Sequence, residues 1–167
     1  RLAVFDHLVD LGRIDELRGI ERVDGHLRIG AVTTQSSAER SAEVASAVPL
    51  LARALPSIGH VQIRNRGTIG GSLAHADPAS ELPAVALALD DEFDVLGPGG
   101  ARSVAARDFF TGTWTTDLAD DELLTAVRFP VWSGRCGFAV EELARRHGDF
   151  AIAGAAVAVE LGGDGAV

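Results

Sequence analysis

A two-residue turn signal, Asp24-Gly25, lies between two short segments, residues 22–23 and 26–31, in which apolar and polar residues alternate. Both central positions of a tight hairpin turn require positive φ, which Asp and Gly adopt more readily than most residues. The pattern therefore predicts an antiparallel hairpin early in the chain. A second hairpin is predicted around the turn Gly97-Pro98-Gly99-Gly100. Two tight hairpins favour an antiparallel sheet over a parallel one.

The segments between and after these hairpins give a mixed pattern. Apolar residues with helical spacing cover residues 44–55, and Pro49 within them predicts two joined helices. Residues 61–71 are polar and Gly-rich and are predicted to form a shaped loop, whereas residues 78–89 are predicted to form a helix. Alternation predicts a strand over residues 123–129, and further strands are predicted over residues 138–145 and 152–161. Residues 162–165 are predicted to start another hairpin. The predicted fold class is α+β with a mainly antiparallel sheet and flanking helices, not a doubly wound dinucleotide fold.

Composition excludes several functions. The 167 residues carry 15 Lys+Arg and 24 Asp+Glu, a formal net charge of −9, which argues against nucleic acid as a partner. All basic residues are Arg, so no Lys can act as a nucleophile. Cys136 is the only cysteine, which leaves no disulfide or iron–sulfur cluster within the chain and predicts a cytoplasmic location. The uncharged run 150–159 is too short to span a membrane.

The densest candidate site is the segment 62–72, Gln-Ile-Arg-Asn-Arg-Gly-Thr-Ile-Gly-Gly-Ser. Its glycines allow a ligand to approach the backbone and can present successive N–H groups to an anion, while Thr68 and Ser72 add hydroxyl donors. The residues alone leave two alternatives open. The segment is either a pyrophosphate-binding loop or a tight turn in which Arg64 and Arg66 are merely solvated.

The following segment, residues 75–81, also has two interpretations. Asp77 and Glu81 either serve only to cap a helix and match its dipole, or supply a carboxylate that accepts ribose hydroxyls of a nucleotide. His75 is interpreted as structural. The histidines lack the spacing of metal ligands, so no metal site is predicted, and no catalytic acid or base is assigned.

Residues 62–79 closely resemble the second flavin-binding motif of the FAD-binding (medium) subunits of molybdenum hydroxylases. That family includes the carbon monoxide dehydrogenase medium subunit and the flavin domain of xanthine dehydrogenase. Four further segments also resemble it: residues 8–14, 27–31, 49–52 and 145–151. The resemblance covers essentially the whole chain.

The resemblance implies FAD as cofactor and the second subdomain of a two-subdomain FAD-binding fold of the vanillyl-alcohol-oxidase/PCMH type. It implies a FAD-binding domain over residues 1–132 and the truncated beginning of a C-terminal α+β domain over residues 133–167. It also implies that the family's first Gly-rich FAD motif lies upstream of residue 1, with Arg1-Leu2-Ala3 as its continuation.

The resemblance also implies a set of cofactor-binding residues: Ile58, Gly59, Thr68, Ile69, Gly70, Gly71, Ser72, Glu81 and Leu124. Residues 68–71 match the loop that holds the FAD pyrophosphate. Ser72 stands where Asn is frequent, and Glu81 where the family usually has Asp near the ribose. Ile58 and Gly59 match a segment near the flavin, Leu124 matches an apolar wall, and the loop 145–149 resembles one that closes on the isoalloxazine.

The implied function is electron transfer. Electrons would pass from a molybdopterin-containing large subunit, through two 2Fe-2S clusters on a small subunit, to FAD and then to an external acceptor. Two alternatives stay open: a flavin-free assembly subunit of such a complex, and a stand-alone flavoprotein oxidase. The oxidase would need a flavin-linking His or its own substrate pocket, and the sequence indicates neither.

Overall fold

The computed structural model describes residues 6–163 and residue 165. Within them, antiparallel pairing produces these strands: β1 (Ile20–Val23), β2 (His26–Gly30), β3 (Glu92–Gly97), β4 (Gly100–Ala105), β5 (Phe110–Gly112), β6 (Thr115–Thr116), β7 (Leu123–Pro130), β8 (Cys136–Leu143) and β9 (Ala153–Glu160). The main sheet has five strands in the order β1-β2-β7-β3-β4, so that β7 lies at its centre. The α+β prediction with mainly antiparallel pairing is confirmed.

The helices are short and lie mostly between β2 and β3: α1 (Gln35–Glu39), α2 (Ala42–Ala47), α3 (Pro49–Ala54), α4 (Val61–Arg64), α5 (Ile69–His75), α6 (Glu81–Leu89) and α7 (Ala106–Phe109). Three 3-10 turns accompany them, at Leu11–Arg13, Asp15–Leu17 and Leu55–Ser57. Helices α5 and α6 pack on the central strand β7. The core between helices and sheet contains fully buried side chains such as Leu27, Phe93 and Phe129.

The predicted turn at Asp24-Gly25 and the predicted helix break at Pro49 are both present. In the first hairpin Val23 pairs with His26, and Asp24 and Gly25 have φ values of +48° and +78°. The predicted helical stretch over residues 44–55 is divided at the proline, because α2 ends at Ala47 and α3 begins at Pro49. A proline fits the first turn of a helix, where its missing N–H is not needed.

The predicted loop over residues 61–71 is wrong, since α4 and most of the first turn of α5 lie within it. Glycine disfavours helix by local propensity, but tertiary packing overrides this at Gly70, which is buried against Ala31. The helix predicted over residues 78–89 begins only at Glu81. Asp77 does not cap it; its Oδ1 accepts a hydrogen bond from the N–H of Ala79 in the preceding turn.

The hairpin of β8 and β9 forms a separate two-stranded sheet that packs against α3 and α6. Its pairing runs from Cys136 opposite Glu160 to Leu143 opposite Ala153. The hairpin predicted to start at residues 162–165 extends into residues 164, 166 and 167, which lie outside the described residues, as does Arg1-Leu2-Ala3. In the described part of the chain no helix is long and apolar enough to cross a membrane. The same residues contain no group of three or more His, Cys, Asp or Glu that could hold a metal ion.

Asp91 is a fully buried carboxyl group at the start of β3. Its backbone N–H donates to the carbonyl of Ala86, and its carbonyl accepts from the N–H of Ala106, so its main chain links α6 to α7. Neither side-chain oxygen has a hydrogen-bond partner among the described residues. Burial, together with the charge of Asp90, raises the pKa of Asp91 well above its usual value.

The contribution of Asp91 to the free energy of unfolding should therefore fall as pH rises from about 4, where an unfolded Asp ionises. As pH rises, the unfolded chain releases the Asp91 proton before the folded chain does. The resulting loss of stability grows until the pH reaches the pKa of Asp91 in the folded protein. Asp91→Asn should remove it, so the variant should gain stability over the parent at neutral pH but not in acid. Urea unfolding followed by circular dichroism at several pH values tests this, with Asp120→Asn as the exposed control. Parallel pH profiles for parent and Asp91→Asn would contradict it.

Candidate cofactor site

Two helix starts lie side by side at the centre of the candidate site. Thr34 precedes α1 and Thr68 precedes α5, and the two residues form an isolated antiparallel β-bridge flanked by two 2.9 Å backbone hydrogen bonds. Thr34 Oγ1 accepts the N–H of Ser37, and Thr68 Oγ1 accepts the N–H of Gly71 at 3.0 Å. Both threonines are therefore N-caps, and the bridge fixes the Gly-rich segment to the end of β2.

The amides of this segment are already used within the protein. Four successive N–H groups donate internally: Ile69 to Thr33 O (2.9 Å), Gly70 to Ala31 O (2.9 Å), Gly71 to Thr68 Oγ1 (3.0 Å) and Ser72 to Thr68 O (3.2 Å). The prediction that successive amides here point at an anion is wrong for residues 69–72. The N–H of Thr68 itself has no hydrogen-bond partner among the described residues.

A cleft of about 610 Å³ opens beside Thr68 and Gly71. Its walls include three arginines and two apolar residues from β7: Arg13, Arg18, Arg66, Leu123 and Leu124. We call it the arginine cleft. Three arginines in the lining of one cleft of an acidic chain make this a place where an anion would be attracted, although the guanidinium of Arg18 also donates to the carbonyl of Gly12 at 2.6 Å. The acids Asp10 and Glu122 also line it, but the carboxylate of Glu122 is paired with Arg102 at 2.6 Å.

A second cavity, of about 290 Å³, lies against a different face of α5, the face that carries Ser72 and His75. Its other walls come from the start of α1, the segment after α3, the start of α6 and the loop that follows β8: Gln35, Ile58, Gly59, Ile63, Asp77, Ser80, Glu81, Gly148, Asp149 and Phe150. We call it the α5–α6 cavity. It is mostly apolar, with a few polar groups, as small-molecule sites usually are.

The predicted site residues divide between these two spaces. Four line the arginine cleft: Thr68, Gly70, Gly71 and Leu124. Four line the α5–α6 cavity: Ile58, Gly59, Ser72 and Glu81. Ile69 lines neither, because its side chain is fully buried in the core.

Burial raises the pKa of the Glu81 carboxyl above its usual value. A hydrogen bond with its own backbone counteracts this rise, while the nearby charges of Glu142 and Asp77 add to it. Glu81 therefore keeps its proton to a higher pH than an exposed glutamate, and a protonated carboxyl can donate a hydrogen bond as well as accept one.

Arg64 does not face an anion site. It is buried, and its guanidinium pairs with Glu39 through two hydrogen bonds of 2.8 and 3.1 Å. It also donates to the carbonyls of Ile58 and Gly59, at 3.0 and 3.2 Å. Arg64 thus holds the turn that forms one wall of the α5–α6 cavity. Arg66, two residues later, is exposed and lines the arginine cleft.

The loop after β8 rests on His60. Gly148 has φ +86°, and a Cβ built there would lie only 2.6 Å from Cε1 of His60. The rings of His60 and His147 meet edge to face at 6.1 Å. A glycine is required here both for the left-handed backbone and for the close approach. Residues 148–150 line the α5–α6 cavity, and closure of this loop on the isoalloxazine stays a prediction.

Comparison with known proteins gives the family. A family model described as the FAD binding domain in molybdopterin dehydrogenase matches residues 1–132. The chain belongs to this family. The resemblance inferred from residues 62–79 is thus confirmed, and the family is one of FAD-binding domains, as that resemblance implies.

Named relatives and solved structures agree with this assignment. The carbon monoxide dehydrogenase medium chain of Hydrogenophaga pseudoflava is 42% identical over 164 residues, which is 98% of this chain and 57% of that protein. The nicotine 6-hydroxylase medium subunit of Paenarthrobacter nicotinovorans is 43% identical over 94% of this chain and 55% of its own length. A solved structure of carbon monoxide dehydrogenase from Hydrogenophaga pseudoflava, lacking the Mo-pyranopterin moiety, matches with a TM-score of 0.94 at 42% identity, over 98% of this chain and 57% of that one.

These matches confirm the predicted FAD-binding fold. They also show that the chain spans little more than half the length of the relatives that it matches.

Gly70 should be intolerant of any side chain. A Cβ at this position would lie 2.4 Å from the Cβ of Ala31 and 2.7 Å from its Cα. Gly70→Ala should therefore lower the free energy of unfolding by about 1–3 kcal/mol, although alanine is the better helix former. Urea unfolding measures this. The control is Gly99→Ala, where an added Cβ meets nothing within 4 Å, and a similar loss there would contradict the packing argument.

Proposed function

We propose that this chain is the FAD-binding part of an electron-transfer subunit of a molybdopterin-dependent hydroxylase or dehydrogenase. Electrons would reach FAD from iron–sulfur clusters and leave to an external acceptor. The proposal rests on the family assignment and on one observation above all. Eight of the nine residues assigned by resemblance line two cavities that flank the same short helix, α5.

The residues present fit FAD. The arginine cleft offers Arg66, Arg13 and Arg18 to a diphosphate, with the Thr68 N–H and hydroxyl beside them. The sequence suggested that backbone amides would bind the diphosphate, but the N–H groups of residues 69–72 donate to other groups of the protein. Arginine side chains and a hydroxyl would bind the diphosphate in their place. The α5–α6 cavity offers apolar walls and a few polar groups to the flavin ring.

Bound FAD would supply the redox chemistry, accepting electrons singly and releasing them as a pair. The residues of this chain would bind FAD and orient it. Arg64 holds Ile58 and Gly59 in place, and the loop at Gly148 covers the ring site. Glu81 lines the same cavity and offers a carboxyl group to a ligand there. No residue of the chain needs to act as a catalytic acid or base.

The proposed partners follow from the same function. They are a molybdopterin-containing large subunit and a small subunit with two 2Fe-2S clusters, in the cytoplasm. We further propose that residues 1–132 belong to the FAD-binding domain and residues 133–167 begin the next domain. The separate β8–β9 sheet supports that division.

A flavin-free assembly subunit of the same kind of complex is the second candidate. The observation that favours it is the internal use of the amides of residues 69–72, which removes donors that a pyrophosphate would otherwise use. The colour of the purified full-length subunit, with the upstream Gly-rich motif that the resemblance implies, distinguishes the two functions, as does its titration with FAD followed by quenching of flavin fluorescence.

In the full-length subunit, Arg66→Gln should weaken FAD binding by about 10- to 100-fold, because one charge-assisted hydrogen bond to a phosphate contributes about 1.5–3 kcal/mol. Arg66 is exposed, so its loss should leave the melting temperature unchanged. Arg53→Gln is the matched control, since Arg53 is exposed on α3 and lines neither cavity. Equal affinities of the two variants would contradict the placement of the diphosphate.

A further inference from the structure

An acidic residue lies in the wall of the cleft that the proposed function assigns to a diphosphate. Glu122, the residue before β7, lines the arginine cleft together with Thr68, Gly71 and the three arginines. An ionised carboxylate at this place would repel a diphosphate and would compete with it for the arginines. The charge of Glu122 therefore has to be compensated if the cleft is to bind an anion well.

Arg102 compensates this charge. Its guanidinium reaches from β4 to the carboxylate of Glu122, where Nε donates to Oε1 at 2.7 Å and Nη2 donates to Oε2 at 2.6 Å. The backbone N–H of Ala119 also donates to Oε2, at 3.0 Å. The hydrogen bond from Arg102, and after it that from Ala119, lowers the pKa of Glu122 to about 2. At neutral pH the carboxylate is therefore ionised, and both of its oxygens are engaged by donors of the protein.

Arg102 is itself held from its other side. Nη1 donates to Oδ2 of Asp117 at 2.7 Å, and Nη2 donates to the carbonyl of Asp117 at 2.9 Å. Neither Arg102 nor Asp117 lines the arginine cleft. The guanidinium thus binds Glu122 from outside the cleft and is not one of the groups that face the space for an anion.

The glycine at position 97 makes room for the contact between Glu122 and Arg102. Gly97 is the last residue of β3, the strand that lies between β4 and β7. A Cβ built there would lie 2.8 Å from Cγ of Glu122. The φ of Gly97 is outside the left-handed region, so what glycine supplies here is space. The side chain of Glu122 can therefore cross β3 and reach the arginine on the far strand.

The other acidic groups near the cleft are arranged differently. Asp10 also lines the cleft, and its Oδ1 accepts the N–H of Gly12 at 2.8 Å at the start of the first 3-10 turn. Asp120 and Asp121, next to Glu122 in sequence, are exposed and do not line the cleft. Among the described acidic residues, Glu122 is thus the one that both lines the cleft and is paired with an arginine.

We propose that Arg102 is a positioning residue for the anion site, which holds the carboxylate of Glu122 away from a bound diphosphate and from the arginines of the cleft. This inference rests on the proposed function, in which the diphosphate is that of FAD. Arg102 does not touch FAD. Because it engages both oxygens of Glu122, the positive charge of Arg66 and its neighbours stays available to the anion.

Titration of the flavin-free full-length subunit with FAD, followed by quenching of flavin fluorescence, tests this role. Arg102→Gln should weaken FAD binding about three- to tenfold, because it leaves one uncompensated carboxylate at the anion site. Glu122→Gln breaks the same ion pair from the other side, yet it should bind FAD as tightly as the parent or more tightly. The double variant Arg102→Gln/Glu122→Gln should regain the affinity that Arg102→Gln alone loses.

Three comparisons distinguish this role from a general effect of charge or of stability. Arg102→Gln combined with Asp117→Asn restores the net charge but leaves Glu122 unpaired, so it should not regain the affinity. Arg128→Gln is the matched control and should leave the affinity unchanged, because Arg128 also pairs with two acids, at 2.6 and 2.9 Å, but does not line the cleft. Riboflavin, which has no phosphate, should bind equally to the parent and to Arg102→Gln.

The outcomes separate this inference from the proposed function. Equal FAD affinities of the parent and Arg102→Gln overturn the inference alone. Equal losses of affinity in Arg102→Gln and Glu122→Gln also overturn it, because they would make the ion pair merely structural. A loss in Arg102→Gln that Glu122→Gln does not repair would mean that Arg102 itself binds FAD, and this too overturns it. Absence of saturable FAD binding by the full-length parent overturns both the inference and the proposed function.

Discussion

The β-bridge between Thr34 and Thr68 is the constraint on which the site depends. It joins two segments far apart in sequence and starts a helix from each, α1 on one side and α5 on the other. The flanking hydrogen bonds tie α5 to the end of β2, and Gly70 packs so closely on Ala31 that no side chain fits between them. The arginine cleft and the α5–α6 cavity lie on different faces of the helix held in this way. A shift of α5 would change both spaces together.

Charge acts locally in this protein. The chain has a net charge of −9, yet three arginines converge on the cleft beside Thr68. Arg64 and Arg66 are two residues apart and have opposite roles, because Arg64 is enclosed by Glu39 and two carbonyls while Arg66 stays exposed. A buried guanidinium needs such a full set of partners to offset the loss of hydration. Net charge therefore says little about where an anion would bind.

Local signals in the sequence predicted the elements that depend on local chemistry. The Asp24-Gly25 turn and the break at Pro49 each follow from what those residues allow, and the structure has both. The loop prediction over residues 61–71 failed because this glycine-rich segment is held in helical form by contacts with residues 31–35. A local sequence pattern carries no information about such distant contacts. The motif marked the candidate site, but the division of its residues between two cavities and the burial of Ile69 became visible only in the structure. The burial of Gln35 gave no sequence signal, since a glutamine after two threonines is typical of a solvated first turn.

The sequence led us to expect free amides in the glycine-rich segment, and the observed hydrogen bonds show the opposite for residues 69–72. Its amides are satisfied, whereas side chains around it are not: Gln35 Oε1 and Ser80 Oγ are buried and unpaired. Backbone groups that are already paired contribute rigidity, while buried unpaired side-chain groups lower the stability of the fold. Under the proposed function, recognition of FAD would depend on side chains more than on the amides of residues 69–72. For that reason the Ser at position 72 and the Glu at position 81, where the family more often has Asn and Asp, bear directly on which ligand groups the cavity can satisfy.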